Sequence, residues 1–155
     1  MREFLEQVLE VIEPLREGFR TTGKTMITPP VTYEYPEERK PVPDRARWRH
    51  ILRRYHEGPH AGLERCIGCS LCSAACPSDC IYVEAGENTD EERYSPGERY
   101  ATVYQINMLR CIFCGMCEEA CPTGAIVLTG EYSISEYHRD GFVYHKERLL
   151  VPPVV

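Results

Sequence analysis

The chain has 155 residues and a formal net charge of -6, which is enough length for one compact domain with appendages. An acidic chain is not expected to bind nucleic acid, whose phosphates attract basic surfaces. Nine cysteines could cross-link a secreted domain, but the start MREFLEQVLEVIEP lacks the apolar core of a signal peptide. We therefore expect a reducing compartment. No apolar run approaches the roughly 18 residues of a membrane-spanning helix.

The first element predicted in chain order is an amphipathic helix at residues 1–20. Pro14 is expected to kink or interrupt it. Its polar face is acidic, which favours docking on a protein groove near a membrane over direct binding to lipid. The alternative is a helix folded onto its own domain. The apolar residues that recur at helical spacing are Phe4, Leu5, Val8, Leu9, Ile12, Leu15 and Phe19.

Residues 21–60 are predicted to form an extended arm and a basic interface segment. The arm, residues 21–44, is too rich in proline for a helix or an inner strand. The following stretch RARWRHILRRYHEGPHAGLER, residues 45–65, combines arginines with Trp48 and Tyr55, a composition typical of protein interfaces. The alternative is a solvated basic face that balances the acidic insert at residues 84–100.

An internal repeat occupies the predicted cluster domain, residues 61–130. It aligns CIGCSLCSAACPSDCIYV, residues 66–83, with CIFCGMCEEACPTGAIVL, residues 111–128. In each copy a cysteine loop leads into a short helix, proline ends the helix, and a strand follows. YATVYQIN, residues 100–107, alternates like a strand before the second loop. Two strand-loop-helix-strand halves related by a pseudo-twofold predict an α+β, ferredoxin-like fold.

Each copy also carries the spacing C-x2-C-x2-C-x3-C-P. This run binds 4Fe-4S clusters in two-cluster ferredoxins, where the fourth cysteine binds the cluster of the other copy. Three sulfurs converge from the loop, whereas the cysteine after the helix is carried across the domain. A zinc site and a purely structural cluster pair are the alternatives. The predicted sets are Cys66, Cys69, Cys72 and Cys121 for the first cluster, and Cys111, Cys114, Cys117 and Cys76 for the second.

The remaining candidate residues are predicted to be structural. The ninth cysteine, Cys80, aligns with Ala125 at the start of a strand, so we expect a buried small hydrophobe. No glycine-rich nucleotide motif is present, and the chain is expected to have no substrate site of its own. Because both cysteine sets are complete, surface or interface positions are expected for the histidines His50, His56, His60, His138 and His145.

The paired cysteine runs, with RHILRRY upstream and YHKERLL downstream, resemble the NADH-quinone oxidoreductase subunit I family. This family is the two-cluster ferredoxin-like subunit of respiratory complex I. The resemblance covers nearly the whole chain, and the family's eight ligands fall on the eight cysteines assigned above. Two differences stand out: Trp48 replaces a residue that is often small in the family, and the end LLVPPVV is shorter than some tails.

The resemblance implies an electron-transfer subunit of an NADH:quinone oxidoreductase, a translocase, relaying single electrons towards the terminal cluster at the quinone site. The implied partners are subunits of the peripheral arm and membrane domain, with no nucleic acid and no direct small-molecule substrate. The implied location is peripheral, on the cytoplasmic side of the cell membrane. Residues 131–155 would form a C-terminal extension. The alternatives are a ferredoxin subunit of a related membrane-bound hydrogenase and a soluble two-cluster ferredoxin.

Overall fold

The computed structural model describes residues 2–150, with side chains from residue 7 onward except that of residue 9. Part of the predicted C-terminal extension therefore lies outside the described residues, as do the side chains of Phe4, Leu5 and Leu9. The chain consists of two compact units, the first ending at Pro41 and the second beginning at Val42.

The first unit contains helix α1, Arg2–Met26. This helix continues past the predicted end at residue 20 and does not stop at Pro14. Proline deprives the carbonyl of Glu10 of its helical donor, but residue 10 is exposed, so water can take the donor's place. Several apolar side chains of the predicted face are exposed, namely Val8, Ile12, Leu15 and Phe19.

The second unit is a small mixed domain of short helices and two antiparallel sheets. The strands are β1 His50–Leu52, β2 Ile81–Glu87, β3 Arg99–Asn107, β4 Ile126–Leu128 and β5 Val143–His145. In one sheet β1 pairs with β4, and in the other β3 pairs with β2 on one side and β5 on the other. The first strand of each predicted half therefore pairs with the last strand of the other half.

The helices of the second unit are all single turns. Two of them follow the cysteine loops, and the other two lie near the C-terminal end of the described chain. They are α2 Leu71–Ala74, α3 Met116–Glu119, a 3-10 helix Arg139–Phe142, and α4 Lys146–Leu149. Helices this short have little stability in isolation, so α2 and α3 depend on the packing around them.

The hydrophobic core joins the sheets to both cysteine loops. Strand β3 buries Tyr104 and Ile106 at alternate positions, as its sequence predicts. It also buries Ala101, three residues before Tyr104, because the register with β2 shifts between Glu84 and Ala85. Cysteines from both loops belong to the same buried cluster, which fixes the loops to the sheets. The cluster consists of Leu52, Cys72, Cys80, Ile81, Ala101, Tyr104, Ile106, Met108, Cys117, Ile126, Tyr144 and Leu149.

Buried ion pairs attach the outer segments to this core. Lys146 Nζ lies 3.0 Å from a carboxylate oxygen of Glu64. Arg49, from the predicted basic segment, lies 2.6 Å from Glu131 and donates a second hydrogen bond to the carbonyl of Arg148. Arg49 is buried, so its side chain makes its contacts within the second unit and is not exposed at the surface.

Candidate metal centres

A first cavity is lined by cysteines from both repeats. Three come from the first loop and the fourth, Cys121, comes from the end of the second repeat. Apolar side chains such as Val83 and Ile126 complete the lining. The four cysteines are the predicted first set, Cys66, Cys69, Cys72 and Cys121.

A second cavity repeats this arrangement with the roles of the repeats exchanged. Three cysteines come from the second loop and the fourth, Cys76, comes from the end of the first repeat. His50 and Cys80 also line this cavity. The structure thus brings together the predicted second set, Cys111, Cys114, Cys117 and Cys76.

Left-handed backbone shapes both loops at matching positions. Gly68 has φ 66° and its repeat partner Phe113 has φ 54°, while Ser70 has φ 59° and its partner Gly115 has φ 84°. Residues other than glycine adopt this left-handed conformation at a cost of roughly 1–2 kcal/mol. The two loops have the same bends although the residues at these positions differ. The bends are therefore set by the path of each loop around its sulfurs and not by the conformational preference of a particular residue.

The thiols of these cavities suit a bound iron-sulfur cluster. Four soft sulfur donors at each cavity form the ligand set of such a cluster. Burial raises the pKa of the Cys66 thiol to about 11 and that of Cys117 to about 12, so metal binding must displace their protons. In the described part of the chain, no three His, Cys, Asp or Glu side chains are placed to hold a single metal ion.

Comparisons with known proteins agree with this geometry. Residues 65–125 match the sequence family described as 4Fe-4S dicluster domain. The protein binds two 4Fe-4S clusters. Among solved structures, the chain is similar to one from the membrane-bound sulfane sulfur reductase, an archaeal respiratory membrane complex, with 27% identity and a TM-score of 0.51. The similarity covers 79% of this chain and 56% of that chain, so this chain spans little more than half of that relative.

Backbone N–H groups point at cysteine sulfurs of both cavities. The amide of Ala125 donates to Cys121 Sγ at 3.2 Å, and that of Phe113 donates to Cys111 Sγ at 3.4 Å. Hydrogen bonds to cluster sulfurs favour the more negative reduced state and raise the potential. The loops therefore contribute fixed dipoles to both sites.

A tyrosine hydroxyl reaches a cysteine sulfur of the first cavity. Tyr104 Oη lies 3.2 Å from Cys72 Sγ, and Tyr104 is only 1% exposed. Burial raises the pKa of this phenol well above its ordinary value. The hydroxyl therefore keeps its proton and can donate it to the sulfur. Sequence reasoning placed Tyr104 in a strand but did not place it beside a cluster.

His50 lines the second cavity, and the prediction that it is a surface or interface residue is wrong. It is 1% exposed, and its ring stacks on Phe113 with centroids 5.7 Å apart. Its Nε2 lies 3.8 Å from Cys111 Sγ. Burial lowers the pKa of His50 to about 4, which leaves the ring uncharged near neutral pH. The other four histidines are exposed, as expected.

Cys80 is buried and belongs to the hydrophobic core. The sequence did not predict the surroundings of this side chain. Cys80 Sγ lies 3.4 Å from Cys76 Sγ, and the side chain of Cys80 lines the second cavity. The other repeat has Ala125 at the equivalent position. Cys80 therefore adds a thiol beside the second cavity, and the first cavity has no equivalent thiol among the described residues that line it.

Arg47 and Trp48 of the predicted basic segment support the second cysteine loop. Arg47 donates to the carbonyl of Cys114 at 2.7 Å and to Glu119 at 3.0 Å. Trp48 packs against the rings of Phe113 and Tyr132. These contacts are within the second unit. Sequence composition indicated an interface at this segment but could not indicate that part of it covers the chain's own cluster loop.

Among residues 2–150, no helix is both long and apolar enough to cross a membrane.

Proposed function

We propose that this chain is an electron-transfer subunit of a respiratory membrane complex. The observation that carries the proposal is the pair of cavities, each lined by three cysteines of one repeat and one of the other. When bound, the two clusters supply one-electron chemistry. In this proposal the first cluster is held by Cys66, Cys69, Cys72 and Cys121, and the second by Cys111, Cys114, Cys117 and Cys76.

The shared ligand segments suit relay of electrons through the domain. Cys72 and Cys76 lie on either side of the end of α2 and line different cavities. A single turn of helix therefore separates ligands of the two clusters, which keeps the clusters close together. Close spacing favours electron transfer between clusters and is not needed for a purely structural pair.

Exposed groups around the cysteine loops offer routes to redox partners. Cys69, a proposed ligand of the first cluster, is exposed. In the second loop Ile112 and Met116 are exposed apolar side chains next to proposed ligands. Partner subunits that cover these groups would exclude water while they approach each cluster.

At a finer level, we propose that the host complex is an NADH-quinone oxidoreductase. The resemblance to the subunit I family over nearly the whole chain supports this. One electron at a time would pass from reduced flavin, through upstream clusters, to this chain and then to the terminal cluster that reduces quinone. The exposed apolar residues of α1 favour docking of that helix on other subunits, at the cytoplasmic face of the membrane. The proposal keeps the predicted division of the chain into a helix at residues 1–20, an arm and basic segment at 21–60, a cluster domain at 61–130 and a C-terminal extension at 131–155.

A second candidate is the equivalent subunit of a related membrane complex that does not oxidise NADH. The similarity to a chain of the archaeal sulfane sulfur reductase favours this candidate. A membrane-bound hydrogenase is another related membrane complex that could contain such a subunit. A free soluble ferredoxin would not need the exposed apolar face of α1.

The test is purification of the chain from its native membranes, with its partners attached, followed by anaerobic addition of single donors. Electron paramagnetic resonance (EPR) then records reduction of the two clusters. Rapid reduction by NADH supports the NADH-quinone oxidoreductase. Reduction by hydrogen, or by a reduced ferredoxin with reoxidation by a sulfane sulfur compound, supports the second candidate. Recovery of the chain as a monomer in detergent-free extract, with no co-purifying subunit, would refute both.

A further inference from the structure

His50 and Tyr104 occupy equivalent positions in the two halves of the second unit. His50 pairs with Leu128 across β1 and β4, and Tyr104 pairs with Val83 across β3 and β2. Leu128 and Val83 are themselves matched by the repeat. The strand register therefore places one buried polar side chain at the same point of each half.

Each of these side chains reaches the cluster site held mainly by the other half. Tyr104, from the second half, has its hydroxyl 3.2 Å from Cys72 Sγ in the first cavity. His50, from the first half, has Nε2 3.8 Å from Cys111 Sγ in the second cavity. Both side chains are 1% exposed, so water does not compete for these sulfurs.

The direction of each hydrogen bond follows from the chemistry of a ligated cysteine. A cysteine bound to iron is a thiolate and can only accept. Tyr104 must therefore donate its hydroxyl proton. His50 Nδ1 finds no hydrogen-bond partner among the described residues, so the tautomer that carries its proton on Nε2 satisfies the contact that the ring makes.

We propose that Tyr104 and His50 are a pair of equivalent hydrogen-bond donors that set the potentials of the two clusters separately, Tyr104 acting on the first cluster and His50 on the second. This inference rests on the proposed ligand sets and electron-transfer function. A donor to a ligand sulfur stabilises the added negative charge of the reduced cluster. Because one donor is a phenol at 3.2 Å and the other an imidazole at 3.8 Å, the two clusters differ in potential despite identical cysteine spacing.

The test uses the full chain with both clusters assembled without oxygen, and EPR-monitored redox titration of each variant. Tyr104→Phe removes only the hydroxyl. His50→Phe keeps a flat ring against Phe113 and removes the donor, while His50→Gln restores an N–H near the position of Nε2. Tyr82→Phe is the matched control, because the hydroxyl of Tyr82 bonds to Glu84 on an exposed part of the same sheet.

The expected result is a shift of one titration wave for each donor removed. Tyr104→Phe should lower the equilibrium constant for reducing one cluster about tenfold, which is about 59 mV for one electron. His50→Phe should lower the other wave by a smaller amount, His50→Gln should recover most of it, and Tyr82→Phe should move neither. All variants should retain about eight irons per chain.

Several results would overturn the inference. Equal shifts of both waves, no shift, or failure of His50→Gln to recover the wave would each reject separate tuning. Loss of iron from both His50 variants would make His50 a structural residue and reject its role as a donor. Reducible clusters with unshifted potentials would overturn this inference alone. Clusters that no reductant can reduce would overturn the proposed function together with it.

Discussion

The substitution Gly68→Ala tests how tightly the first cysteine loop is packed against the sheet. Gly68 has a left-handed φ of 66°. A Cβ built at this position would lie 2.8 Å from the carbonyl oxygen of Tyr100 and 3.0 Å from Cβ of Ala85. Both neighbours belong to the paired strands β2 and β3, so neither can move away without disturbing the sheet.

The expected loss of stability has two parts. The left-handed conformation costs alanine roughly 1–2 kcal/mol, and overpacking against the sheet costs about 1–3 kcal/mol more. The free energy of unfolding should therefore fall by about 2–5 kcal/mol. Gly124 is a matched control, because its φ is 57° but a Cβ there meets nothing within 4 Å. Gly124→Ala should cost only the roughly 1–2 kcal/mol of conformational strain.

The assay is anaerobic urea unfolding, followed by the loss of cluster absorbance. With a urea m-value of about 2 kcal/mol per M, Gly68→Ala should lower the midpoint by about 1–2.5 M and Gly124→Ala by about 0.5–1 M. Equal midpoints for the two variants would refute the reasoning, because they would mean that the loop makes room for a methyl group beside Tyr100.

Two further substitutions test contacts that attach outer segments to the cluster domain. Lys146→Met leaves the buried carboxylate of Glu64 without its cation and should lower the free energy of unfolding by about 3–5 kcal/mol. Adding Glu64→Leu to this variant should recover much of the lost stability in the same urea assay. If the double variant recovers nothing, the broken ion pair is not the cause of the loss. Arg47→Ala removes the donor that holds the carbonyl of Cys114, so a chelator should strip the second cluster faster and leave the first unchanged. The control Arg16→Ala breaks an exposed ion pair on α1 and should not change the rate at which the chelator removes either cluster. If Arg47→Ala and the wild type lose the second cluster at the same rate, the role of Arg47 is contradicted.

Cysteine spacing predicted which cysteines line each cavity, because the spacing is a local property of the chain. Two-residue spacers restrict three sulfurs to one loop, and the cysteine after a single helical turn points elsewhere. The alternation of YATVYQIN likewise predicted β3, which spans Arg99–Asn107. Both features depend on short stretches of sequence.

The surroundings of the second cluster could not be predicted, because they depend on distant pairing. Strand β1 has only three residues, too few to show a period, and its position is fixed by pairing with β4 far along the chain. That pairing buries His50 against the second site and brings Arg49 to Glu131. Composition alone describes both residues as surface groups.

The structure places the end of α1 at Met26, six residues inside the predicted arm of residues 21–44, because the prolines of that arm begin only at Pro29. Pro14 lies inside Arg2–Met26, where the neighbouring surface is exposed and the lost backbone hydrogen bond is open to water. The cost of an interior proline depends on its surroundings, which the sequence does not show.

The measurement that most directly tests the account is the cluster content of Cys76→Ala beside that of Cys80→Ala. The two cysteines are close in sequence and their sulfurs are 3.4 Å apart, but only Cys76 is a proposed ligand. Iron analysis and EPR of the reduced full-length protein should show that Cys76→Ala loses the second cluster and keeps the first, while Cys80→Ala keeps both. An intact second cluster in Cys76→Ala, or its loss in Cys80→Ala, would contradict the exchanged ligation on which the proposed electron relay depends.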